Sequence, residues 1–169
     1  DPTFVRTAGQ SPDRALFTAA QGLHAHFPIW SADEAHVYFV QGAVPDGMDI
    51  WRIPAQGGTA DRVTRHNSRV SHPVMPDART LVYLASDPDG SGPWLYSMDV
   101  ERRVPRRVTS GVDRYTSLSA SADGRRMAVT IDNPKRTLWR MRLANAGAGA
   151  AAPAPISLTT GSGSSPRLG

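Results

Sequence analysis

Pro28-Ile29-Trp30-Ser31-Ala32-Asp33, His36-Val37-Tyr38-Phe39-Val40, Asp49-Ile50-Trp51-Arg52-Ile53 and Asp61-Arg62-Val63-Thr64 form a unit that the chain writes three times. The second copy is Pro73-Val74-Met75-Pro76-Asp77, Thr80-Leu81-Val82-Tyr83-Leu84, Trp94-Leu95-Tyr96-Ser97-Met98 and Arg107-Val108-Thr109. The third is Leu118-Ser119-Ala120-Ser121-Ala122-Asp123, Arg126-Met127-Ala128-Val129-Thr130, Thr137-Leu138-Trp139-Arg140-Met141 and Ile156-Ser157-Leu158-Thr159. The turn aspartate recurs at Asp33, Asp77 and Asp123, steps of 44 and 46 residues. Four short strands repeated with a period in the forties describe the blades of a β-propeller.

The fold expected is therefore all-β: a partial propeller of about three four-stranded antiparallel blades plus end strands. The blades span 27–64, 72–109 and 117–160. Residues 1–26 are expected to hold the end of a preceding blade and a channel loop. There Arg14 to Thr18 is a closing strand whose blade lacks its first three strands. Residues 161–169 read as the start of a further blade. Such ends suggest a piece of a longer protein, with apolar blade faces able to self-associate.

Within a blade the second strand is apolar on both faces, as a strand sandwiched between neighbours must be. The fourth is polar and carries arginine, which suits an edge. The aromatic residues of the third strand, Trp51, Trp94 or Tyr96, and Trp139, are expected to fill the space between blades.

Composition bounds the function. The 169 residues contain 14 Pro, 15 Gly and no Cys, so turns are frequent and disulfides and thiolate metal sites are excluded. Eighteen arginines stand against the single lysine Lys135, the pattern of a GC-rich, bacterial genome. The net charge of +4 is scattered, which argues against a nucleic-acid partner. No apolar run reaches the length of about 18 residues that direct membrane insertion needs.

The Pro-x-Trp-Ser-x-Asp turn, the Asp-Ile-Trp strand and the terminal Arg-Val-Thr resemble the TolB-like β-propeller repeat over residues 11–169. The copies depart from that pattern: Leu118 and Ala120 replace Pro and Trp, Met75-Pro76 replaces Trp-Ser, and Glu34 and Ala78 replace the Gly after the Asp. The resemblance implies a six-bladed, non-catalytic propeller that binds a protein or peptide partner or senses a ligand. It also implies a periplasmic or cell-envelope location, a cytoplasmic one being the alternative. A second reading is the substrate-gating propeller of a serine peptidase of the prolyl-oligopeptidase type, with its hydrolase domain elsewhere.

No Gly-x-Ser-x-Gly elbow is present, and Gly161-Ser162-Gly163-Ser164-Ser165 reads as a connection between blades, so no catalytic residue is expected. Three equivalent loops, 19–27, 65–72 and 110–117, join one blade to the next and carry the candidate binding residues. These are His24, His26, His66, Arg69, His72, Asp113, Arg114 and Tyr115. His24 and His26 alternate, which sends both imidazoles to one side of an extended segment. His72 and Asp113 could add metal ligands, but hydrogen bonding to loop backbone explains the histidines more simply, and neither metal nor cofactor is expected. Arg69, Arg114 and Tyr115 could hold an acidic peptide or a carboxylate. Asp87-Pro88-Asp89-Gly90-Ser91-Gly92 has the start of a calcium loop but lacks its later acid in register, so it reads as a hairpin turn.

Overall fold

The computed structural model describes residues 2–5, 14–111, 113–132, 138–140 and 154–156. They fall into two units, Asp1–Asp132 and Asn133–Gly169. The proposed connection at Ser162, Ser164 and Ser165, the trailing strand and the side chain of Trp139 lie outside the described residues.

The first unit opens on a hairpin of β1 (Pro2–Val5) and β2 (Arg14–Thr18). The sequence predicts β2 alone; β1 adds the strand before it, so the leading blade is represented by two strands. The first full blade is the antiparallel sheet β3 (His24–Trp30), β4 (His36–Ala43), β5 (Gly47–Pro54) and β6 (Asp61–Arg62). The second is β7 (Val70–Val74), β8 (Thr80–Ala85), β9 (Trp94–Asp99) and β10 (Arg106–Arg107). A pair of strands follows, β11 (Arg114–Ala120) and β12 (Met127–Asp132). The second unit holds the antiparallel pair β13 (Leu138–Arg140) and β14 (Ala154–Ile156). The third blade that the sequence predicts over 117–160 is described only as these two strand pairs, one in each unit. The architecture is a partial β-propeller.

Strand β4 explains the stacking. Its residues alternate between two apolar clusters, because successive side chains of a strand leave opposite faces. Val37 and Phe39 join Leu16 of β2 and Ile53 of β5, with Phe17 and Trp51 packed alongside. Tyr38 and Val40 join Ile50, Leu81, Tyr83 and Met98, so this second cluster lies between the two full blades. Strand β8 repeats the device: Leu81, Tyr83 and Ala85 face the first full blade, while Val82 and Leu84 meet Leu95 and Leu118. Trp51 and Tyr96 are the third-strand aromatics that pack on these clusters, as the sequence predicts.

Polar groups fasten the ends of each blade. The Ser31 hydroxyl donates to Asp33 Oδ1 at 2.6 Å and accepts the His36 N–H at 2.9 Å. Ser121 and Asp123 repeat this at 2.6 Å, and Asp77 accepts the N–H groups of Arg79 and Thr80 at 2.8 and 2.7 Å. Those hydrogen bonds hold all three carboxyls below the usual aspartate range. The third copy needs its glycine. Gly124 has φ +67°, and a Cβ there would stand 1.7 Å from the Pro76 carbonyl oxygen of the neighbouring turn. Glu34 takes the same left-handed conformation, φ 56°, in the first copy.

The terminal threonine of the repeat also has a defined task. Thr64 Oγ1 accepts the Ile50 N–H at 2.9 Å, and Thr109 Oγ1 accepts the Leu95 N–H at 3.0 Å. In the first blade this threonine also donates to Asp49 Oδ1 at 2.7 Å. Asp49 is 2% exposed. It further accepts the His66 and Asn67 N–H groups at 2.7 and 3.1 Å and pairs with Arg62. In the second blade Trp94 takes the place of Asp49, and Arg107, the counterpart of Arg62, lies 5.2 Å over its ring. One arginine position thus pairs with a buried aspartate in one blade and lies over an indole in the next.

Removing the Asp49 carboxylate would strand a guanidinium and two loop N–H groups. Asp49→Ala is expected to cost about 3 kcal/mol, the low end of the range for breaking a buried ion pair, because Arg62 is partly exposed. Urea unfolding followed by tryptophan fluorescence measures it, and a change under about 1 kcal/mol would remove Asp49 from the supports of the fold.

Candidate functional site

The eight candidate residues do not share one site. The inner strands begin earlier than the repeat suggests, so His24, His26, His72, Arg114 and Tyr115 lie on strands β3, β7 and β11 instead of in loops. Each of these strands shifts register near its middle, at His26/Ile29, Ser71/Val74 and Tyr115/Ser117. Such bulges turn side chains away from the regular alternation. Phe27 and His72 take positive φ, 54° and 50°, at the first two of them.

His24 and His26 do point to one side. Their rings stack at 5.7 Å and 7°. Phe27 continues the row and reaches His72 of the next blade at 4.5 Å between ring centroids. Burial pulls the His72 imidazole below the ordinary histidine range, and its Nδ1 is buried without a hydrogen bond. This is an aromatic row across two inner strands. Among the described residues no three His, Asp or Glu side chains come together as a metal site. Asp113 is half-buried, one residue before β11.

His66 stands apart, between blades. Its Nε2 lies 2.8 Å from the Tyr83 hydroxyl, and its ring meets those of Tyr83 and Tyr96 edge-on at 5.5 and 4.8 Å. Desolvation lowers its pKa against the opposing pull of Asp49 and Asp87. Burial raises the Tyr83 phenol. Burial, together with the Asp87 carboxylate that its hydroxyl bonds, pushes Tyr96 up to about 12. The other Asp87 oxygen takes Arg107 Nη1 at 2.6 Å. Two polar links thus lie side by side, His66–Tyr83 and Tyr96–Asp87–Arg107, joined to each other by ring contact alone.

Asp87 lines a cleft of about 700 Å³ at the loop end of the blades. Arg69 and Arg114 line it too, together with Asp46 and Asp89. Arg69 pairs loosely with Asp46 at 3.7 Å. Tyr115 turns inward, packing on the Val82, Leu84, Leu95 and Leu118 cluster while its N–H reaches the Pro93 carbonyl at 3.3 Å. The sequence reading found the two arginines but not the three aspartates. Pro45-Asp46-Gly47 and Asp87-Pro88-Asp89-Gly90 read as turns, and they are turns: Asp89 accepts the Ser91 N–H at 2.9 Å. That they are equivalent loops of adjacent blades was the available signal.

Comparison with known proteins agrees with the architecture. A protein described as TolB from Agrobacterium tumefaciens superposes with a TM-score of 0.63 at 16% identity, over 83% of this chain and 49% of that one. TolB from Acinetobacter baumannii gives 0.57 at 16% identity, over 87% and 33%. A puromycin-hydrolyzing peptidase of Mycobacterium tuberculosis gives 0.60 at 17%, over 75% and 21%. The chain thus spans half or less of the length of each of these structures. No family model and no curated protein matches the sequence. At such identities the likeness establishes a TolB-like propeller fold.

The half-buried histidines His66 and His72 carry a pH signature. In the unfolded chain His66 and His72 protonate near 6.5, the ordinary histidine value, whereas both are depressed in the fold. Below that pH the unfolded state binds more protons, so stability falls as pH drops through 6.5 toward the lower folded values. The melting temperature is expected to decline from pH 7.5 to 5, and His66→Gln is expected to flatten the decline. A melting temperature independent of pH over that interval would contradict the burial of both imidazoles.

Proposed function

We propose that this chain is a non-catalytic propeller module that binds a protein or peptide partner, or senses a ligand, at the cleft bearing Arg69 and Arg114. The observation that carries the reading is the cleft's lining of both charge signs, two arginines against Asp46, Asp87 and Asp89. A peptide offers both signs along one backbone, and complementary charges of this kind steer and orient such a partner. One acid of the lining is held in place: Asp87 is fixed by Arg107 and Tyr96. Arg114 is exposed and available to a carboxylate. The TolB-like fold supports a binding role and a periplasmic or cell-envelope setting. The gating propeller of a serine peptidase is the second reading, favoured by the likeness to the mycobacterial peptidase. A hydrolase signature in the reading frame beyond Gly169 would decide for it.

Fluorescence polarisation against a library of labelled peptides of mixed charge tests the main reading. Binding by one class of peptide is expected, weakened about tenfold or more by Arg69→Ala with Arg114→Ala. The same purified chain is expected to leave aminoacyl and acyl esters intact. Ester turnover above the buffer rate, or peptide affinity indifferent to both arginines, would contradict the proposal.

A further inference from the structure

A second concavity lies away from the cleft, along the outer edge between the two full blades. Arg62, Arg65, Arg103 and His66 line it, with Val63 and Pro105, around about 240 Å³. Three guanidinium groups and an imidazole share this wall, and among the described residues no carboxylate lines it.

Two of the arginines are held from behind. Arg62 donates through Nε to the Thr64 carbonyl at 3.1 Å and through Nη2 to buried Asp49. Arg103 crosses from the second blade to the first. Its Nη1 lies 3.1 Å from Asp61 Oδ1 and 3.3 Å from the Arg62 carbonyl, and Nη2 bonds Asp61 Oδ2. A guanidinium has more N–H donors than either set of bonds uses. Arg65, exposed at the rim, makes no hydrogen bond or ion pair among the described residues. Arg52 also draws on Asp61, Nε to Oδ2 at 3.4 Å. The groove's own Arg62, Arg65 and Arg103 thus face Asp49 and Asp61, an excess of one positive charge, with Arg52 a further cation on Asp61 outside the lining.

We propose that this groove binds a phosphate-type dianion, either free phosphate or the phosphoryl group of a small molecule. The planar guanidinium fork matches phosphate oxygens and can engage two at once. Arg62 and Arg103 are already fixed by their aspartates, so little side-chain freedom is lost when they bind. Arg65 closes the site from the rim. The size agrees with the charge. Water occupies about 30 Å³ per molecule in the liquid, so the groove takes a phosphate and a few further heavy atoms. It stays below the roughly 300 Å³ at which pockets for drug-sized ligands begin.

Isothermal titration of the full chain with inorganic phosphate and with phenyl phosphate tests this. Ionic strength is held constant with chloride, at about pH 7.5, where a phosphomonoester with a second pKa near 6 is mostly dianionic. Saturable binding of one anion per chain is expected. Arg65→Gln is expected to weaken it about tenfold. Arg106→Gln, which removes an exposed arginine of β10 outside the groove, is expected to leave it unchanged. Melting of the Arg65→Gln variant should match that of the unsubstituted chain, since this side chain holds nothing in the fold. Tighter binding of phenyl phosphate assigns the site to an esterified phosphoryl group, and tighter binding of inorganic phosphate assigns it to the free ion. Failure of both anions to saturate, unchanged affinity in Arg65→Gln, or equal loss in both variants would overturn the proposal.

Discussion

Everything in the first unit depends on strands that cannot be buried by their own blade. A lone four-stranded sheet leaves both faces of its second strand open. Strands β4 and β8 carry large apolar side chains on both faces, so each needs a neighbour on either side. The alternation Val37, Tyr38, Phe39, Val40 is the whole mechanism: odd positions meet β2, even positions meet β8. A fully buried residue of this kind contributes about 1.5–3 kcal/mol relative to exposure. The threonine, aspartate and arginine contacts at the strand ends then fix how the stacked sheets align.

Because stacking is set by strand centres, the loop ends are released for other chemistry. The same repeat position holds Asp49 in one blade and Trp94 in the next, and the arginine after it adapts to either. Around Asp49 this produces a rigid arginine framework on the outer edge. Around Trp94 and Asp87 it produces one wall of the charged cleft. Two surfaces with different charge balance therefore arise from small departures in one motif.

The propeller was legible because it is written as periodicity, which burial enforces at every copy. Strand ends were not. His24-Ala25-His26 is polar and short, and nothing in its composition distinguishes a bulged inner strand from a loop. Strand β1 was missed because only one partner strand follows it, with no repeat to align against. The site was half legible for a similar reason. Arg69 and Arg114 occupy matching positions after a repeat, whereas Asp46 and Asp89 lie in loops of unequal length whose sequences announce only a turn. His66 reads in the sequence as a loop candidate; its partial burial follows from Tyr83 and Tyr96, which are distant in sequence and stacked at 5.9 Å in space.

The central claim is that alternate residues of one strand belong to separate blade interfaces. Double-mutant cycles on unfolding free energy test it most directly. Phe17 and Phe39 meet at 4.6 Å across the first interface, so Phe17→Ala and Phe39→Ala are expected to couple by more than about 0.5 kcal/mol. Phe39 and Leu84 belong to different clusters, and their alanine substitutions are expected to add within about 0.5 kcal/mol. Additive phenylalanines, or strong coupling between Phe39 and Leu84, would contradict the account.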